Sequence, residues 1–101
     1  MPDHPRFSRL SNILQNARRR IRARRARPLP LGVSVRHGGV RFSIFSQHAN
    51  ALRLVLFADE HAAEPDRAFD LNPDLHRFGD VWSVFIEGIG PGQVYAWQAF
   101  G

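Results

Sequence analysis

Gly39-Val40-Arg41-Phe42-Ser43-Ile44-Phe45 decides how this chain folds. Val40, Phe42 and Ile44 alternate with Arg41, Ser43 and Phe45, and a period of two puts successive side chains on opposite faces of a strand. The same period returns in Leu52, Leu54 and Leu56, in Trp82, Val84 and Ile86, and in Tyr95, Trp97 and Ala99. A weaker strand covers Arg67 to Leu71. Turn chemistry fills the gaps: Gly38-Gly39, the link from Gln47 to Asn50, Asn72-Pro73-Asp74, and Gly88-Ile89-Gly90-Pro91-Gly92. Short strands separated by regular turns predict an all-β, antiparallel β-sandwich from residue 29 to residue 101.

Residues 1–28 read differently. Nine arginines against one acid, Asp3, give the first 27 residues a charge of +8, while five arginines and eight acids leave residues 28–101 at −3. The high isoelectric point therefore belongs to an N-terminal arm, and the folded part is mildly acidic. Leu10, Ile13, Leu14, Ala17 and Ile21 have helical spacing, with Arg18, Arg19, Arg20, Arg22, Arg24 and Arg25 crowding the later turns. Like charges that close repel, so a partly helical or disordered arm is expected. Pro28 and Pro30 end it. The arm suits an anionic membrane surface or nucleic acid as one rival source of function, although no specific nucleic acid is expected as a partner.

Composition excludes several chemistries. Without cysteine there is no disulfide, thiolate metal site or cysteine nucleophile, and a reducing, cytoplasmic setting is expected. No apolar run reaches the roughly 18 residues of a membrane span. The carboxylates Asp59, Glu60, Glu64, Asp66, Asp70, Asp74, Asp80 and Glu87 sit mostly in loops, where nothing builds a dry pocket for acid–base work. His4, His37, His48, His61 and His76 lack metal-ligand spacing, and Ser43 and Ser46 lack the glycines of a nucleophile elbow. The expectation is no catalytic residue, no metal and no cofactor.

Four motifs in order resemble a known family. They are Pro30-Leu31-Gly32 leading to Gly39-Val40-Arg41-Phe42-Ser43-Ile44-Phe45-Ser46, then Ala49 to Phe57, then His76-Arg77-Phe78-Gly79-Asp80-Val81-Trp82, then Pro91-Gly92-Gln93-Val94-Tyr95. Together they look like the isoamylase-type N-terminal domain, carbohydrate-binding module family 48, which precedes a glycoside hydrolase family 13 barrel. The resemblance implies an immunoglobulin-like sandwich. It also implies a parent enzyme that debranches glycogen-type polymers, with its catalytic carboxylates in the barrel and none in this chain. On that reading the chain is a fragment of a larger hydrolase, and the barrel and α-glucan are its partners. Gln98 stands where the family has arginine, and Ser83 where it has histidine. A stand-alone α-glucan-binding module or regulatory subunit is the alternative.

Glucose rings have apolar C–H faces on which an aromatic side chain can stack. Trp82, Tyr95 and Trp97 are the candidates for such contact, although their phase also suits the core. Phe45, Phe57, Phe85 and Phe100, with Val55, fall on the opposite phase. Exposed aromatics in a row mark an interface, so these are candidates for packing on a barrel, unless a bulge shifts the phase of one strand.

Overall fold

The computed structural model describes residues 20–101. The helical reading of Leu10 to Ala17 lies outside that range. Two antiparallel sheets pack face to face. The strands are β1 (Arg22–Arg24), β2 (Gly32–Arg36), β3 (Gly39–Phe45), β4 (Ala51–Phe57), β5 (Arg67–Asp70), β6 (Arg77–Phe78), β7 (Val81–Glu87) and β8 (Val94–Phe100). A four-residue helix, α1 (Pro73–His76), precedes β6. One sheet runs β1-β7-β3-β2, with β6 also paired to β7; the other runs β5-β4-β8.

Alternation sets the core. Val40 and Phe42 from β3, Trp82, Val84 and Ile86 from β7, and Leu52, Leu54 and Leu56 from β4 form one buried cluster. The β3–β7 ladder runs unbroken from Gly39 opposite Glu87 to Phe45 opposite Val81, and the β4–β8 ladder from Ala51 opposite Phe100 to Phe57 opposite Val94. No bulge interrupts either ladder, so the phase read from the sequence holds in these strands.

Three local readings change. Arg22–Arg24 is not the end of a helix but a strand antiparallel to β7, with Ala23 opposite Ile86. Spreading the arginines along an edge strand lets their heads reach solvent, and Arg24 meets Glu87 at 3.0 Å. Residues 32–36 form β2, which glycine and an exposed valine pair had concealed. Asn72-Pro73-Asp74 opens a helical turn, not a plain reverse turn: the Asn72 side chain accepts from the Asp74 N–H at 2.9 Å, with proline as the first helical residue.

The outward face of the first sheet is also covered. Residues 26–30 run across it, and their carbonyl oxygens accept from the sheet. Arg41 donates to Arg27 O at 3.0 Å, to Pro30 O and to Ser34 Oγ at 3.0 Å; Ser43 donates to Pro28 O, and Ser83 to Ala26 O at 3.0 Å. Arg41, Ser43 and Ser83 are consequently buried although they alternate out of the core. Burial, and after it the nearby Arg36, pulls the Arg41 pKa below the ordinary arginine value.

His76 is buried at the end of α1, where its Nδ1 accepts the Asn72 N–H at 2.9 Å. Burial and then the Arg25 guanidinium lower its pKa, and only a neutral ring keeps the Nδ1 lone pair for Asn72. A pKa lower in the folded state than in the unfolded chain means that folding disfavours the proton. Stability is then complete above the ordinary histidine value, about 6.5, and declines as pH falls below it, by at most about 1.4 kcal/mol per pH unit. Urea midpoints at pH 7.5 and pH 5 are expected to differ, and His76→Gln, which keeps an acceptor but does not titrate, to narrow the difference. An equal difference in both proteins would assign the pH effect to other groups.

Candidate carbohydrate-facing flank

The three aromatic candidates separate. Trp82 is fully buried. Its indole N–H donates to Ser46 O at 3.2 Å, and the Arg77 guanidinium lies 4.9 Å from the ring centroid. No face is left for a sugar, so Trp82 leaves the sugar-contact set and is a core residue. Its phase with Val84 and Ile86 was the signal for this.

Tyr95 and Trp97 lie on β8, opposite Leu56 and Leu54 of β4. Both face inward, but β8 is an edge strand and the flank is open. Tyr95 is 37% exposed and Trp97 is half-buried. Phe42 packs edge-on against both, with centroids 4.9 Å from Tyr95 and 6.5 Å from Trp97. Phe42 thus fixes the two rings from below. Among the described residues nothing accepts from the Trp97 indole N–H, and no buried side-chain nitrogen or oxygen lacks a partner. Among the described residues the N–H is thus left for an acceptor such as a sugar hydroxyl.

β2 continues this flank, and the sequence reading missed it. Val33 and Val35 stand opposite Phe42 and Val40, on the inward side of their sheet, yet are 48% and 50% exposed. Leu31 continues their row and is 52% exposed. Polar groups are sparse here. Gln98, in the position where arginine was expected, points to the outer face with Arg53, its Oε1 3.4 Å from the guanidinium. Arg53 also meets Asp70 at 2.7 Å and lies 5.2 Å from the Phe100 ring centroid.

The four phenylalanines do not line up in one stripe. Phe45 and Phe85 lie on the outer face of the first sheet, and the ladder separates them by four residues, with the covered Ser43 and Arg41 positions between. Phe57 and Phe100 lie at opposite ends of the second sheet. Phe45 and Phe100 are exposed at the end where β3 and β8 finish, and Phe100 lines a shallow 280 Å³ hollow with Ser46, His48, Ala49, Ala99 and Gly101. Phe85 is half-buried; its ring covers Gly39 and borders a cleft of about 610 Å³ with Ala23, Arg24, Arg25, Leu75 and His76. A single docking surface through all four residues is therefore not what the fold provides.

Among the described residues no group of three or more histidine, aspartate or glutamate side chains is placed to hold a metal ion, and no helix is long and apolar enough to cross a membrane. Comparison with known proteins points in one direction. Residues 30–101 match the family described as carbohydrate-binding module 48, isoamylase N-terminal domain. Isoamylase 1, chloroplastic, of Oryza sativa subsp. japonica is 40% identical over 73 residues, which is 70% of this chain and 9% of that protein. Isoamylase SU1, chloroplastic, of Zea mays is 44% identical over 63 residues, 60% of this chain and 8% of that protein. A glycogen debranching enzyme of Klebsiella pneumoniae is 39% identical over 75 residues, 74% of this chain and 10% of that protein. The match spans about one tenth of each relative's length.

Proposed function

The chain belongs to the carbohydrate-binding module 48 family, the isoamylase N-terminal domains, and on that premise we propose that it acts as the non-catalytic, glucan-associated N-terminal module of a debranching glycoside hydrolase. The hydrolysis of α-1,6 branch linkages would then belong to a barrel outside this chain. The module's part is to help hold branched α-glucan near that barrel and to buttress it. The observation that carries the sugar contact is the pair of aromatic rings at an open flank, Tyr95 37% exposed and Trp97 half-buried with no acceptor for its N–H among the described residues, both seated on Phe42. Aromatic faces match the C–H faces of glucose, and the open N–H matches a hydroxyl acceptor.

Affinity electrophoresis of the 101-residue chain through glycogen-containing gels tests this. Retardation is expected, and Tyr95→Ala is expected to weaken binding about fivefold, a loss of ~1 kcal/mol for one aromatic contact. Tyr95 sits at the rim of the core, packed on Phe42 and 37% exposed, so folding of the variant is established by circular dichroism before its binding is read. A folded chain that migrates identically with and without glycogen would remove direct glucan contact and leave the buttressing role. Equal retardation of the wild type and Tyr95→Ala would move the sugar site elsewhere.

A further inference from the structure

We infer that the β8 edge, together with Val33 and Val35 of β2 and the exposed Leu31 just before that strand, is a slot for one extended, uncharged peptide strand with apolar side chains at alternate positions. The inference does not depend on the glucan reading.

The edges of the two sheets are unequal. β1 carries Arg22 and Arg24, β2 ends in Arg36, and β5 carries Arg67 and Asp70. Charged side chains on edge strands oppose the addition of another strand. β8 reads Val-Tyr-Ala-Trp-Gln-Ala-Phe, is seven residues long and has no charge and no proline. Among the described residues it pairs on one side only, with β4. It is the long, uncharged edge of this sandwich.

The layers are also unequal in width. The Phe42 contacts put β8 over β3. β2 lies one strand further out in its sheet, and the exposure of its inward valines means that no described strand of the second sheet covers it. Val33 and Val35 thus face inward and are still half-exposed. A strand bonded to β8 would sit about 4.8 Å from it and about 10 Å above β2, the ordinary spacings of a sandwich. Its alternate side chains would fall on Leu31, Val33 and Val35, and its backbone groups would satisfy the open edge of β8.

The same geometry rejects a second copy joined β8 to β8. A two-fold axis there would place the partner's β3 in the space that β2 occupies, because each copy's first sheet is one strand wider on this flank. One strand fits, and a second sandwich does not.

The test uses the full chain and a fluorescein-labelled, end-blocked peptide, Gln-Thr-Val-Thr-Val-Thr-Val-Thr-Gln, followed by anisotropy. Saturable binding in the micromolar range is expected. Val33→Asp and Val35→Asp, each at a half-exposed position and each checked for folding, are expected to weaken it at least tenfold. The peptide N-methylated at alternate amides keeps the side chains but loses ladder donors, and is expected not to bind. No saturation up to 1 mM peptide would overturn the inference, as would equal binding of the N-methylated peptide or of both folded variants. Sedimentation of the free chain as a β8-paired dimer would overturn it as well. Peptide binding is read without glucan, so a failed sugar assay leaves this result intact.

Discussion

Trp82→Ala is expected to remove about 4 kcal/mol of folding free energy. Truncating a buried tryptophan to alanine costs roughly 3–5 kcal/mol through lost transfer energy and the cavity left behind. Here the cost should not fall at the low end. Trp82 is fully buried among Val84, Ile86 and the β4 leucines. Its N–H also closes on Ser46 O, and Arg77 lies on its ring. Arg77 in turn donates to Gly79 O at 2.8 Å, Gln47 O at 3.2 Å and Ala49 O at 3.3 Å, so the tryptophan supports the residue that ties two loops together. A domain of this size has on the order of 5–10 kcal/mol in all. The variant should therefore show a urea midpoint near half that of the wild type, read by far-ultraviolet circular dichroism. Trp82→Phe, which keeps most of the volume and loses the N–H, should cost about half as much. A loss below about 1 kcal/mol for the alanine variant would mean that this ring is not the centre of the core.

Gly39→Ala should be the next most damaging change, and for a different reason. Its backbone does not need glycine's left-handed freedom, since Gly39 is not among the residues with positive φ. The difficulty is space. A Cβ there would lie 2.3 Å from Ile86 O, 2.6 Å from the tip of the Phe85 ring and 3.0 Å from the Glu87 Cα. A side chain can swing away, but the Ile86 carbonyl belongs to the paired strand and cannot move without opening the ladder. Overpacking usually costs about 1–3 kcal/mol, and a backbone clash in a central ladder belongs at the top of that range. Gly90→Ala is the control, because nothing lies within 4 Å of its Cβ; it should stay within about 0.5 kcal/mol of wild type. Adding Phe85→Ala to Gly39→Ala should not restore stability, because the nearer clash remains. Equal urea midpoints for the Gly39 and Gly90 variants would contradict this account.

The sandwich was legible because its central strands alternate cleanly. Val40, Phe42, Trp82, Val84 and Ile86 state their own phase, and tertiary structure only brings them together. β1 and β2 were not legible for a related reason: edge strands bury little, so Arg-Ala-Arg and Gly-Val-Ser-Val-Arg show no apolar stripe to detect. The outward polar set misled in the opposite sense. Arg41, Ser43 and Ser83 have the pattern of solvent-facing residues and are buried, because what covers them is backbone, and a carbonyl has no sequence signature. At the flank, Trp82, Tyr95 and Trp97 share the inward phase that marks core residues, and phase alone does not separate the sealed Trp82 from the two rings at the rim. Alternation gives the face of a residue; only the number of strands in the opposing layer says whether that face is closed.

The covering of Arg41, Ser43 and Ser83 by carbonyl oxygens has a practical consequence for where the polypeptide can be cut. Every amino acid owns a carbonyl, so residues 26–28 can change identity with little effect, while their removal cannot be compensated. The family match begins at residue 30. A shortened polypeptide starting there would leave one Arg41 N–H and two serine hydroxyls without acceptors. The thermodynamic edge of the unit lies before Ala26, inside what composition alone would discard as a charged leader.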